Sequence, residues 1–152
     1  MITDDARQPA RLRHAASWLI NQASAHSHRL VADGFAAAGA RGYHYRLLAT
    51  LEEYGPASQA DLGRRAAIDR SDVVAALNQM GDKKLIERAP DPADRRRNII
   101  TLTPAGRRHL HELDTVLAGI QDELLAPLSP PERARLTEML TRVTDHHARS
   151  RP

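Results

Sequence analysis

The chain has 152 residues, 41% of them hydrophobic, which suits one domain with a core of ordinary size, and its formal net charge is +3 at pH 7. It has no cysteine, which excludes disulfides, thiolate metal sites and thiol-based oxidation sensing. No apolar run reaches the roughly eighteen residues of a membrane span, and Met1–Asp5 does not open a secretion signal, so a cytoplasmic protein is expected.

Residues 6 to 38 read as one long helix. Leu12, Ala16, Leu19, Ala23, His26 and Leu30 recur at alternating spacings of four and three, which lays a narrow apolar stripe along one side. A stripe of that length needs a partner. Phe35–Ala40 is an alanine-rich connection, and a second helix over 41 to 54 carries Tyr43, Tyr45, Leu47, Leu48 and Leu51 before stopping at Gly55-Pro56. Expected to pack beneath the DNA-reading unit and to touch the dimer helices, it is the natural hinge. A short helix follows over 57 to 66, with Ser58 and Asp61 spaced as a capping box. The next helix begins at about Arg70, with Asp69 as its cap and Asp72 near the positive end of the helix dipole. Val73, Ala76, Leu77 and Met80 form its apolar face.

Two short β-prone runs, Leu85–Arg88 and Asn98–Leu102, then flank a polar tip with two prolines and the arginines Arg95, Arg96 and Arg97. This is a hairpin. Thr103 and Pro104 start a helix that runs to about Leu125, with Leu110, Leu113, Leu117, Ile120 and Leu124 on one face. Ser129-Pro130-Pro131-Glu132 caps a last helix carrying Leu136, Met139, Leu140 and Val143. The predicted fold is mainly α with a small β-hairpin wing: a winged helix-turn-helix over 41–103, flanked by long helices at 6–38 and 104–147, in one domain over 1–152.

Asp94-Arg95-Arg96-Arg97-Asn98-Ile99-Ile100-Thr101-Leu102-Thr103-Pro104-Ala105-Gly106 resembles the wing signature of the MarR family of bacterial transcriptional regulators, an Asp-Arg-Arg followed by Leu-Thr-x-x-Gly. The resemblance extends to Tyr45-Arg46-Leu47-Leu48 and covers nearly the whole chain. It implies a homodimer built from the outer helices, a pseudo-palindromic double-stranded DNA operator, and release by a small aromatic or phenolic effector bound between the dimer helices and the DNA-binding lobe. Two positions depart from the family pattern. Asp72 and Ala75 stand where Thr and then Arg are common on the groove-facing side of the recognition helix, so those base contacts do not carry over. Lys84 replaces the usual closing Gly, and either adopts a left-handed conformation or ends the helix differently.

Arginine clusters at Arg64-Arg65, Arg70, Arg88, Arg95–Arg97 and Arg107-Arg108, a local basic surface that favours nucleic acid over membrane. A helix in the major groove presents its first turns to base edges, which selects Arg70, Ser71, Asp72, Ala75 and Asn78 as candidate readers. Arg70 pairs with guanine or touches phosphate only, and Asp72 serves the helix dipole or accepts from a cytosine amino group. Arg95, Arg96 and Arg97 suit the narrow minor groove, with Asp94 pairing with Arg96 to shape the tip. Ser58 and Gln59 stand where a helix N-terminus can hold a phosphate. Trp18, Tyr43, His44, Tyr45 and Arg46 are the expected effector-binding residues, Arg46 or a histidine supplying the counter-charge.

The histidines are spaced by one or two residues (His26 and His28, His109 and His111, His146 and His147) and so face different sides of their helices. With no cysteine either, neither a metal nor a cofactor is expected. No nucleophile motif or Gly-rich phosphate loop supports an enzyme. The competing expectation is a winged-helix protein-interaction module that does not touch DNA.

Overall fold

The computed structural model describes residues 8–150. The expected helix start at residue 6, and Met1–Asp5, lie outside the described residues. In chain order the elements are α1 (Ala10–Arg13), α2 (Ala16–Ala37), α3 (Gly42–Tyr54), β1 (Ala57–Ser58), α4 (Gln59–Ala66), α5 (Arg70–Asp82), β2 (Ile86–Pro90), β3 (Asn98–Leu102), α6 (Pro104–Leu124) and α7 (Pro130–Arg149). The protein is mainly helical with a small antiparallel sheet.

The first long helix is broken. Ala15 is extended between α1 and α2, although neither it nor His14 is a helix breaker, and nothing in the local sequence accounts for the break. Phe35, read as part of a connection, lies inside α2 and is 2% exposed, its ring 5.4 Å from that of Tyr45. The helix ends at Ala37, where Gly39 in a left-handed conformation brings the amide of Ala40 back to the carbonyl of Phe35.

The sheet has three strands rather than the two of a hairpin. Ala57 and Ser58 pair with Ile100 and Ile99, so the sheet order is β1-β3-β2. Those two residues were expected as the first turn of a helix. Pairing makes Ser58 the last extended residue, and its hydroxyl oxygen accepts the amide of Asp61 at 3.2 Å to start α4 at Gln59. The β2–β3 ladder runs from Ile86 opposite Leu102 to Pro90 opposite Asn98.

One core joins the two parts of the chain. Leu47 and Leu48 of α3, Leu62 of α4, Leu77 and Met80 of α5, Ile100 of β3, and Leu110 and Leu113 of α6 are all fully buried. The helix-turn-helix therefore rests on the first half of α6 as well as on α3. Farther along, α2 and α6 pack closely at Gly34, where even a methyl group would meet Ile120. On α7, by contrast, Met139, Leu140 and Val143 are exposed, as are Leu19 and Ile20 of α2.

Lys84 takes the first of the two alternatives open to it. It has φ 57°, with its amide on the carbonyl of Gly81 and the next amide, of Leu85, on that of Met80. This doubly bonded turn satisfies the last carbonyls of α5 at the expense of a side chain in the left-handed region, which costs about 1–2 kcal/mol. The turn leads into a crowded junction. Thr103 donates its hydroxyl to the Lys84 carbonyl at 2.8 Å and accepts the amide of Gly106 at 2.9 Å, capping α6. A Cβ on Gly106 would fall on the carbonyl oxygen of Leu85. Glycine substitutions in the two directions should thus have opposite signs: Lys84→Gly should raise the unfolding free energy by about 0.5–1 kcal/mol in urea titrations, part of the relief being returned to a freer unfolded chain, whereas Gly106→Ala should lower it by about 3 kcal/mol.

Candidate nucleic-acid interface

The turn between α4 and α5 sets where the second helix points. Ala67 closes α4 with φ 51°, and the amide of Ile68 returns to the carbonyl of Gly63 at 3.0 Å. The freed carbonyls do not face solvent alone. The Arg46 guanidinium, reaching from α3, donates to the carbonyls of Ala66 and Ala67, the latter at 2.9 Å. Arg46 therefore braces the helix-turn-helix.

Asp69 does not close a regular side-chain cap on α5. Its carboxylate accepts the hydroxyl proton of Ser71 at 2.8 Å, and that bond, with the leading amides of Ser71 and Arg70, holds its carboxyl below the usual range.

Arg70, Ser71, Ala75 and Asn78 are exposed on α5, and Asp72 is half-buried. Val74, which sequence reasoning passed over, is exposed among them. The Asn78 carbonyl oxygen has a partner: Arg88 of β2 donates to it at 2.9 Å. That bond fixes the Asn78 amide and engages one of the two lone pairs of its oxygen.

The wing tip is organised by a carboxylate that sequence reasoning also missed. Asp91 is 9% exposed; it accepts the amide of Ala93 at 2.9 Å and the Arg97 guanidinium at 3.1 Å. Its signal was present, because an aspartate between two prolines at a hairpin end is a turn-forming acceptor. Asp94 accepts both the amide of Arg96, at 3.1 Å, and its guanidinium Nε, at 3.3 Å. Even so, the Arg96 side chain is 92% exposed. Arg95 is exposed as well. Ser58 and Gln59 at the head of α4, Arg70 at the head of α5, and Arg96 and Arg97 on the wing line one open groove of about 860 Å³, joined by Arg64, which was not among the expected contact residues.

The expected effector residues do not converge. Tyr43, His44, Tyr45 and Arg46 are consecutive on a helix, so their side chains fan out around it. Tyr43 is exposed, and Tyr45 packs on Phe35 while donating to Asp114 of α6 at 2.8 Å. Burial, with that carboxylate, pushes the phenol up to about 12. Trp18 is half-buried on α2. His44 is 5% exposed; its Nδ1 accepts the amide of Arg41 at 3.3 Å and its Nε2 lies 2.8 Å from the Gln79 side-chain oxygen. Those partners select the neutral tautomer with the proton on Nε2. Among the described residues no three His, Asp or Glu side chains gather as metal ligands.

Residues 39–97 match the model of the MarR family. A probable transcriptional regulator from Pseudomonas aeruginosa has a solved structure that is 32% identical, superposes with a TM-score of 0.74, and is matched over 87% of this chain and 98% of its own. The chain belongs to the MarR family. A second MarR-like fold, that of BpsR from Bordetella bronchiseptica, is 25% identical with a TM-score of 0.72 over 84% of this chain and 97% of that one, and was solved to explain how 6-hydroxynicotinic acid regulates its DNA binding. The transcriptional repressor NicR of Pseudomonas putida is 29% identical over 98 residues, 64% of this chain and 62% of that protein. The chain spans about three fifths of the length of the curated relatives it matches.

His44 makes stability depend on pH. Burial lowers its pKa, with the nearby Lys83 and Arg41 cations acting in the same direction against the Gln79 hydrogen bond. Near pH 6 the unfolded chain therefore binds a proton that the folded chain does not, and this contribution is complete above the unfolded value of about 6.5 and lost as pH falls below it. Thermal melts at pH 7.5 and pH 5.5 should show a larger drop for the wild type than for His44→Asn.

Proposed function

We propose that the chain is a homodimeric transcriptional regulator, a repressor, that binds a pseudo-palindromic operator through paired winged helices and is released by a small aromatic or phenolic acid. The observation that carries this reading is the open arginine-lined groove between α4, α5 and the wing tip. In it α5 lies in the major groove, with Arg70 at a base edge or phosphate and Ser71, Asp72, Ala75 and Asn78 along the same approach; Ser58 and Gln59 hold a phosphate at the head of α4. Arg95 and Arg96 extend into the minor groove. Arg97 keeps its tie to Asp91, and with Asp94 it sets the shape of the tip. No part of this needs an enzyme's machinery, a metal or a cofactor.

Residues 41–103 act as the DNA-binding lobe and the segments 6–38 and 104–147 as the dimerisation region of one domain in a cytoplasmic protein. The exposed Leu19, Ile20, Met139, Leu140 and Val143 supply apolar surface for the second protomer. A two-fold axis then sets the half-sites about 34 Å apart.

The effector reading draws on BpsR, whose DNA binding is regulated by an aromatic acid. In this chain α3 is the element that passes such a signal on. It is tied to α6 by Tyr45–Asp114 and by Glu52, which accepts from Arg107 at 2.8 Å and lies 3.1 Å from His111. It is tied to the recognition helix by His44–Gln79 and to the turn by Arg46. A ligand seated against α3 beside the exposed Tyr43 shifts α3 and carries the recognition helix with it.

Selection of bound duplexes from a random pool, followed by anisotropy titrations at two salt concentrations, should yield a palindrome bound in a salt-sensitive way. Arg96→Ala should weaken binding to every sequence and reduce the log–log salt slope by about one per protomer. Arg70→Ala should relax discrimination at one base pair of each half-site; a uniform loss would make Arg70 a phosphate anchor. A protein that retains no duplex at either salt would instead be a protein-interaction module.

A further inference from the structure

Val74 is out of place on its helix. The other large apolar residues of α5, namely Val73, Leu77 and Met80, are buried, whereas Val74 is 38% exposed. It stands four residues after Arg70, three after Ser71 and four before Asn78, and so occupies the middle of the outer face with Ala75 beside it. Arg and Asn at the ends of a groove-facing surface with methyl groups at its centre is a pattern with a chemical counterpart. Thymine is the one base whose major-groove edge carries a methyl group.

The hydrogen-bonding groups around Val74 narrow the match. Arg88 donates to the Asn78 side-chain oxygen at 2.9 Å, which fixes the amide and leaves its N–H groups to donate. Beside the methyl, thymine presents the O4 acceptor, and its paired adenine presents N7. A fixed donor suits both. Cytosine fails twice at such a site, because it has no methyl and places its own amino donor where O4 would be.

We infer that Val74, with Ala75, reads the 5-methyl group of a thymine in each half-site while Arg88 orients Asn78 to donate beside it, so that this chain selects a T·A pair by methyl contact. The inference rests on α5 entering the major groove, as proposed above. It replaces the base contacts that Asp72 and Ala75 deny to this chain with an apolar contact of different chemistry. Arg88 acts in it as a positioning residue and touches no base.

The test uses the full chain and its selected palindrome, with each thymine replaced in turn by uracil, which removes the methyl and leaves pairing and O4 unchanged. Wild type should lose about fourfold in affinity per half-site at one thymine and little elsewhere, in keeping with about 0.8 kcal/mol for a buried methyl group. Val74→Ser should bind the thymine operator more weakly and no longer distinguish it from the uracil form, and Arg88→Met should tolerate cytosine at that position while keeping the uracil penalty. Uniform tolerance of uracil by the wild type overturns the methyl contact yet leaves operator recognition intact. Failure to select any duplex overturns the DNA-reading proposal and this inference with it.

Discussion

The orientation of the recognition helix depends on one guanidinium. Arg46 crosses from α3 to the carbonyls of Ala66 and Ala67, groups that the left-handed end of α4 turns out of the helical ladder. Backbone carbonyls at a helix C-terminus carry partial negative charge and lack intrahelical partners. A delocalised cation with several donors in a rigid plane satisfies two of them at once. The turn has neither a glycine nor a proline to set its shape, so tertiary contact supplies what local sequence does not.

The same helix supplies the other polar ties. His44 reaches Gln79 on the flank of the recognition helix, Tyr45 reaches Asp114, and Glu52 takes Arg107 and His111. Beneath them Leu47, Leu48 and Leu51 are buried in the shared core. A helix anchored on both sides by buried leucines and hydrogen bonds moves as a rigid element, because close-packed side chains have few intermediate arrangements. Motion of α6 therefore reaches the recognition helix through α3 as well as through the direct contacts of Thr103 and Gly106 with the turn after α5. This gives the expected hinge a physical content, namely bonds to three different elements from one face after another.

The wing shows how a basic tip is kept in shape. Three successive arginines repel one another, and two nearby carboxylates divide them: Asp91, nearly buried, fixes Arg97, and Asp94 turns the backbone at Arg96 while leaving its side chain in solvent. The outcome is one arginine used for structure and two presented outward. Surface pairs of this kind contribute little stability by themselves, so their value lies in geometry at the tip.

Much of the architecture was legible in the residues. The starts of α5, α6 and α7, the third strand's range and the apolar face of the recognition helix followed from capping residues, proline placement and periodicity, all of which act over three or four residues and are written locally. So was the basic character of the groove. What the sequence could not reveal were effects that depend on partners far along the chain. The conversion of Ala57-Ser58 from helix to strand needs β3, about forty residues away in the ladder; the burial of Phe35 needs Tyr45; the use of Arg46 as a brace needs the α4 carbonyls; and the fixing of the Asn78 amide needs Arg88. Local chemistry determines which segments form and which residues are suited to meet DNA, whereas tertiary packing decides which of those side chains are left free to do so, because each hydrogen-bonding group that another element satisfies is withdrawn from the surface.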